Sequence, residues 1–196
     1  MLKNLFVSEV RVKILKLFLL NSDKQYHVRA VVRAVSAEIN AVRRELENLT
    51  AIKLLSRRQS SNKIYYRISV EHPYFSDLLS LFSKEEGLGA ILLKELKNLG
   101  NVEYVVLSKS FLRGRLSTAL DVDLFIVGDP NTALLEKLVK DFEAKKGREV
   151  NFSIMDSEQF TYRKRTNDQF ILKVLSQART MLVGDEEKFS SIMASL

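Results

Sequence analysis

Apolar residues recur at helical spacing through the first third of the chain. Val10, Ile14, Leu17 and Phe18 predict an amphipathic helix over residues 8–20, closed by Asn21-Ser22-Asp23. Val28, Val31, Val32 and Val35 repeat the i, i+3, i+4, i+7 stripe and predict a short second helix. Ser36 is the expected N-cap of a third, whose buried stripe is Ile39, Val42, Leu46 and Leu49. The period then changes to that of strands. Residues 53–58 and 63–68 read as a hairpin with the polar turn Gln59-Ser60-Ser61-Asn62 between them. Alternation sets Ile64, Tyr66 and Ile68 on one face and makes Tyr66 a core position. Tyr65 shares the other face with Lys63 and Arg67, where both hairpin packing and contact with a nucleic acid are open to it.

His72-Pro73 interrupts the chain after the hairpin, because a residue before proline avoids helical geometry. Leu78, Leu79 and Phe82, then Leu88, Ile91, Leu92 and Leu96, form helical stripes that break near Gly87 and stop at Gly100. From residue 105 the pattern is strand, turn and short helix, then a second strand carrying Asp121 and Asp123. A helix over 132–145 buries Leu134, Leu135, Leu138 and Phe142; a strand at 150–155, a helical stripe at 170–175 and a short strand at 181–184 follow. The expected fold class is α+β in two domains. Residues 1–70 form a helical unit with a basic hairpin, 71–100 a helical connector, and 101–196 an α/β domain whose helices cover one sheet.

Composition narrows the function. Hydrophobic content of 46% with 28% charged residues is ordinary for a globular chain of 196 residues. No apolar run approaches the ~20 residues of a membrane span, and no signal peptide is evident, so a cytoplasmic address and no membrane partner are expected. With no cysteine, disulfides, thiol catalysis and cysteine-based zinc sites are excluded, and His27 and His72 alone make a poor metal set. The net charge of +7 is uneven: residues 1–70 hold 14 of the 31 Lys+Arg but only 5 of the 24 Asp+Glu. That asymmetry points to a polyanion-binding module joined to a near-neutral one. Arg163, Lys164 and Arg165 form a smaller cluster, read as a solvated face.

Three short helices followed by a basic hairpin make a winged helix-turn-helix. The run Glu-Ile-Asn-Ala-Val-Arg-Arg-Glu-Leu-Glu-Asn-Leu at 38–49 resembles the recognition helix of small winged-helix regulators of bacteria and archaea. Asn40, Arg43 and Arg44 lie off its apolar stripe, where arginine can pair with guanine edges and asparagine with adenine. Arg29 and Arg33 suit phosphates, which fix register without reading sequence. Arg57, Arg58, Asn62 and Lys63 around the wing could follow the backbone or enter a minor groove. Double-stranded DNA is therefore the expected partner. A helical connector such as 71–100 commonly pairs with its copy, which fits a homodimer on a two-fold-symmetric site.

The second resemblance rests on residues 105–127. Ser110, Arg113, Gly114, Asp121 and Asp123 fall on the pattern of the polymerase-β-like nucleotidyltransferases: hydrophobic strand, Gly-Ser, Arg-Gly, then Asp-x-Asp. If the site were active, the resemblance implies Asp121 and Asp123 as Mg²⁺ ligands and Ser110 and Arg113 as contacts to the phosphates of a nucleoside triphosphate. The glycine before the serine is Lys109 here, and only glycine offers a backbone without Cβ. The family's third carboxylate aligns with Asn151, leaving Glu149 as a substitute. A winged helix ahead of such a domain resembles a group of prokaryotic regulators. Three readings stand: a regulator whose transferase-like domain needs no cofactor and serves assembly or ligand sensing, a working Mg²⁺-dependent transferase with catalytic Asp121, Asp123 and Glu149, and an interaction protein whose basic winged helix binds another protein. In the first, the Lys109 ammonium is expected to stand in for the metal between the aspartates.

Overall fold

A computed structural model describes residues 2–118 and 120–191. The chain divides into two compact units, Met1–Glu85 and Glu86–Leu196, so the helices within 71–100 fall on both sides of the division. The fold is mixed α+β with two sheets.

The first unit opens with α1 (Leu2–Leu5) and α2 (Glu9–Leu19), the latter capped by the Ser8 hydroxyl, which accepts from the Arg11 N–H. Its buried stripe is Ile14, Leu15, Phe18 and Leu19, rotated by one position from the expected one: Val10 and Leu17 are only half-buried. β1 (Tyr26–His27), α3 (Val28–Val35) and α4 (Ile39–Ala51) follow, then β2 (Leu55–Ser60), β3 (Lys63–Ile68) and α5 (Phe75–Ser83). The strands form an antiparallel sheet in the order β1-β3-β2. The hairpin turn is shorter than expected, because Gln59 and Ser60 pair with Ile64 and Lys63. Tyr66 is buried, while Ile64, on the same face but nearer the tip, is 42% exposed.

Ser36 does not cap α4. It adopts the left-handed conformation (φ 49°) that closes α3, and the carboxylate of Glu38 takes the cap, accepting from the N–H groups of Asn40 and Ala41. His27 caps α3 through Nδ1, which accepts from the Ala30 N–H, so its ring carries its proton on Nε2 when neutral.

The second unit consists of α6 (Gly87–Lys94), β4 (Gly100–Ser108), α7 (Lys109–Leu112), β5 (Leu124–Pro130), α8 (Thr132–Lys146), β6 (Phe152–Met155), α9 (Ser157–Arg165), α10 (Gln169–Ser176), β7 (Arg179–Val183) and α11 (Glu186–Ser190). Its sheet runs β6-β5-β4-β7, with β5 and β6 parallel and the other pairs antiparallel. Tyr104, Val106, Phe125, Val127 and Met155 pack on Phe160, Ile171, Val174 and Phe189 from α9, α10 and α11. By alternation Val105, Leu107, Leu124 and Ile126 face the other way, where α8 offers Leu135, Val139 and Phe142. β4 carries bulges after Val102 and Val105, and both are matched by glycine. Gly128 (φ 129°) lies against the backbone of Asn101 and Val102, and Gly184 (φ 90°) against the Tyr104 ring, leaving no room for a Cβ at either.

Two buried charges lock helices in place. Glu45 of α4 is 3% exposed and accepts from Arg11 Nε of α2 at 2.8 Å. Burial raises the Glu45 carboxyl, but hydrogen bonds from Ser8, Arg11 and Asn48 and the Arg11 charge together take it below its usual value. Lys164 corrects the reading of 163–165 as a solvated face. It is 8% exposed and donates to the carbonyls of Lys188 and Phe189 at the end of α11. Arg179 closes α10 in a similar way, donating to the carbonyls of Val174 and Leu175 while pairing with Glu186.

Replacing Arg11 with Met strands a buried carboxylate, and solvent access to Arg11 tempers the cost to about 2 kcal/mol, read from chemical denaturation. Because the folded Glu45 pKa lies below the unfolded one, the contribution is present above about pH 4.3 and fades as pH falls through the folded value. Wild type and Arg11→Met should therefore converge in acid.

Candidate functional site

Two surfaces carry chemistry, one in each unit. In the first, α4 buries Val42, Glu45, Leu46 and Leu49, and so turns Asn40, Arg43, Arg44, Glu47 and Asn48 outward as a continuous exposed face. Arg29 and Arg33 are exposed one turn apart on α3. Arg57, Arg58, Asn62 and Lys63 are exposed on the hairpin. Register divides the hairpin cations. Arg58 stands opposite Tyr65, on the face that also holds Lys63 and Arg67, whereas Arg57 stands opposite Tyr66 on the other face. Arg67, which the sequence reading used only to place Tyr65, thus joins the basic outer face. Tyr65 itself packs edge-on against its cross-strand partner His27 of β1, ring centroids 5.7 Å apart.

Among the described residues, none of Arg29, Arg33, Arg43, Arg44, Arg57, Arg58 or Lys63 forms a salt bridge. Arg43 does not pair with Glu47; its charge acts instead on Glu38, whose carboxyl is lowered chiefly by the Asn40 and Ala41 N–H groups. The surface therefore holds several cations without a salt-bridge partner among the described residues.

In the second unit the carboxylates sit where β5 begins rather than along it. The strand starts at Leu124, one residue past Asp123, so the alternation expected to align Asp121 with Asp123 is absent. Asp123 is 2% exposed. Its Oδ1 accepts from the Ser117 hydroxyl at 2.6 Å and its Oδ2 from the Asn151 N–H at 3.0 Å. Its backbone continues the tie: Asp123 O accepts from Ser108 N–H, and Asp123 N–H donates to Asn151 O. Asp121 is exposed, and its Oδ2 accepts both the N–H and the hydroxyl of Thr118. Those bonds, with Lys173 nearby, lower its carboxyl pKa. Asn151, at the position of a third carboxylate, gives its side-chain amide to Thr118 O at 2.7 Å. Glu149 is exposed.

Positive charge near these groups comes from Lys173 and Arg148. Lys173 of α10 donates to Leu120 O and acts on Asp121. Arg148 lies with its guanidinium carbon 4.1 Å from the Phe111 centroid and donates to Arg115 O at 2.7 Å. Burial pulls its pKa down and the Asp123 charge draws it partly back. Lys109 opens α7 with its N–H donating to Ala178 O, and Ser110 is exposed beside it, its N–H donating to the Ser108 hydroxyl. Arg113 is half-buried at the C-terminal end of α7.

Asp121 and Asp123 are bonded to different partners, the third position is an amide, and no cluster of three His, Cys, Asp or Glu suited to a metal occurs among the described residues. No helix is long and apolar enough to cross a membrane.

Residues 90–171 match the family model of a nucleotidyltransferase domain, so the stretch from α6 to α10 is nucleotidyltransferase-like. Comparison with curated proteins and with solved structures returned no match.

The two aspartates should respond differently to removal. Asp123→Ala leaves a buried N–H and a hydroxyl without their acceptor and is expected to cost about 2–3 kcal/mol in denaturant unfolding. Asp121→Ala, exposed and locally bonded, should leave the melting temperature nearly unchanged. Equal losses would contradict this division of roles.

Proposed function

We propose that this chain is a sequence-specific DNA-binding transcriptional regulator. In this reading its first unit is a winged helix-turn-helix and its nucleotidyltransferase-like domain serves assembly or ligand sensing without catalysis. The carrying observation is the set of exposed cations and amides on α3, α4 and the β2–β3 hairpin, the cations in no salt bridge among the described residues. On B-DNA, α4 would enter the major groove with Asn40, Arg43 and Arg44 at base edges. Arg29, Arg33, Arg57, Arg58, Asn62 and Lys63 would hold phosphates, with Arg67 added on the outer face of the wing. A homodimer on a two-fold-symmetric operator, in the cytoplasm, completes the reading.

Loss of catalysis is supported by two features of the second unit: Asn151 stands at the third ligand position, and a lysine replaces the glycine of the phosphate turn. The rival reading, an active Mg²⁺-dependent nucleotidyltransferase positioned by its winged helix, is favoured by the match over residues 90–171 and by Ser110, Arg113, Gly114, Asp121 and Asp123 in pattern. On that reading Asp121→Ala abolishes nucleotide transfer and leaves DNA binding intact.

The test is titration of the full chain against duplex DNA from upstream of its own gene and a scrambled duplex, across a salt series. Tight, sequence-dependent binding with a steep slope is expected, since the slope counts phosphates neutralised. Arg43→Ala should cost about 1–3 kcal/mol and relax specificity, whereas Lys63→Ala should weaken both duplexes alike and lower the slope by about 1. Equal, weak binding of wild type to both duplexes would contradict the proposal for that site.

A further inference from the structure

The face of α4 that carries Asn40, Arg43 and Arg44 also carries a negative charge at its leading end. Glu38 is exposed, and its hydrogen bonds from the N–H groups of Asn40, at 2.7 Å, and Ala41, at 2.9 Å, fall on one oxygen, Oε2. A carboxylate has acceptor capacity to spare beyond two such bonds. The Asn40 and Ala41 N–H groups and the Arg43 charge favour its ionised form. Two consequences follow for a helix whose N-terminal residues contact base edges. First, N–H groups that would otherwise attract a phosphate are already bound to a carboxylate, so this end repels the DNA backbone. Second, a fixed carboxylate in a major groove is complementary to few atoms. The cytosine N4 amino group is a donor it can accept from, and the neighbouring Arg43 suits guanine O6 and N7.

Resting on the DNA-binding reading above, we propose that Glu38 is a specificity-determining residue: its carboxylate selects a cytosine amino group in the major groove and, by repelling phosphate, weakens binding to every other sequence. Phosphate anchoring then falls to α3 and the hairpin, which carry no acidic residue between Val28 and Val35 or between Leu55 and Ile68. Glu38 thereby raises the ratio of specific to non-specific affinity rather than affinity itself.

The experiment is selection of binding sites from a random-core duplex library by the full chain, by Glu38→Asn and by Glu38→Asp, followed by affinity for the wild-type site and a scrambled duplex. Asparagine is a strong N-cap without charge, so it preserves the helix end and removes only the anion; aspartate keeps both. Wild type and Glu38→Asp are expected to enrich a cytosine that Glu38→Asn does not. Glu38→Asn should bind the scrambled duplex more tightly and lose on the order of tenfold in specificity ratio. An unchanged selected sequence and ratio for Glu38→Asn would overturn the inference and make Glu38 a cap alone. So would a parallel loss on both duplexes with a lowered melting temperature. If wild type itself enriches no sequence, the DNA-reading proposal falls, and this inference falls with it.

Discussion

The carboxylate of Asp123 organises the second unit. Three segments distant in sequence meet on this one residue: Ser117 from the loop after α7, Asn151 just ahead of β6, and Ser108 at the end of β4. It is nearly inaccessible to water, so its carboxyl oxygens must find their hydrogen-bond partners inside the protein. The carbonyls of Arg115, Thr118, Leu120 and Val122 are held by Arg148, Asn151, Lys173 and Gln177. A residue bonded in this way supports the loop.

The same economy of charge runs through the first unit, with the opposite result. There the buried carboxylate, Glu45, is compensated by Arg11 and fixes α4 against α2. Fixing that helix by its inner face leaves the outer face with arginines that form no salt bridge among the described residues, a charge distribution that is stable in water but strongly attractive to a polyanion. On the proposed reading, the chemistry of this chain has moved from the acidic pair to the basic helix, and the nucleotidyltransferase-like domain persists as a scaffold.

Much of this was legible in the sequence, for identifiable reasons. The stripes of α2, α3, α4 and α8 follow the 3.6-residue period because each buries one face, and Tyr66 was placed by alternation. Where local chemistry competes, the sequence misled. Ser36 is a good cap by residue type, yet α3 needed a left-handed residue to end on, and the cap passed to Glu38. Asp121 and Asp123 matched a strand pattern, but Thr118 and Ser117 offered nearer partners and β5 began later. α9 was not foreseen because only Phe160 and Lys164 are buried along it, and a lysine at a core position is invisible to hydrophobic periodicity. Its partners, the last carbonyls of α11, come from 24 and 25 residues further along the chain.

The most direct measurement is titration of the full chain with Mn²⁺, a paramagnetic substitute for Mg²⁺, followed by electron paramagnetic resonance. If Asp123 is committed to the loop and Asp121 to Thr118, free Mn²⁺ signal should track the added metal at micromolar concentrations with no stoichiometric uptake. Uptake of one equivalent that Asp123→Asn abolishes would show the carboxylates joined on a cation, and would return the chain to the enzymes.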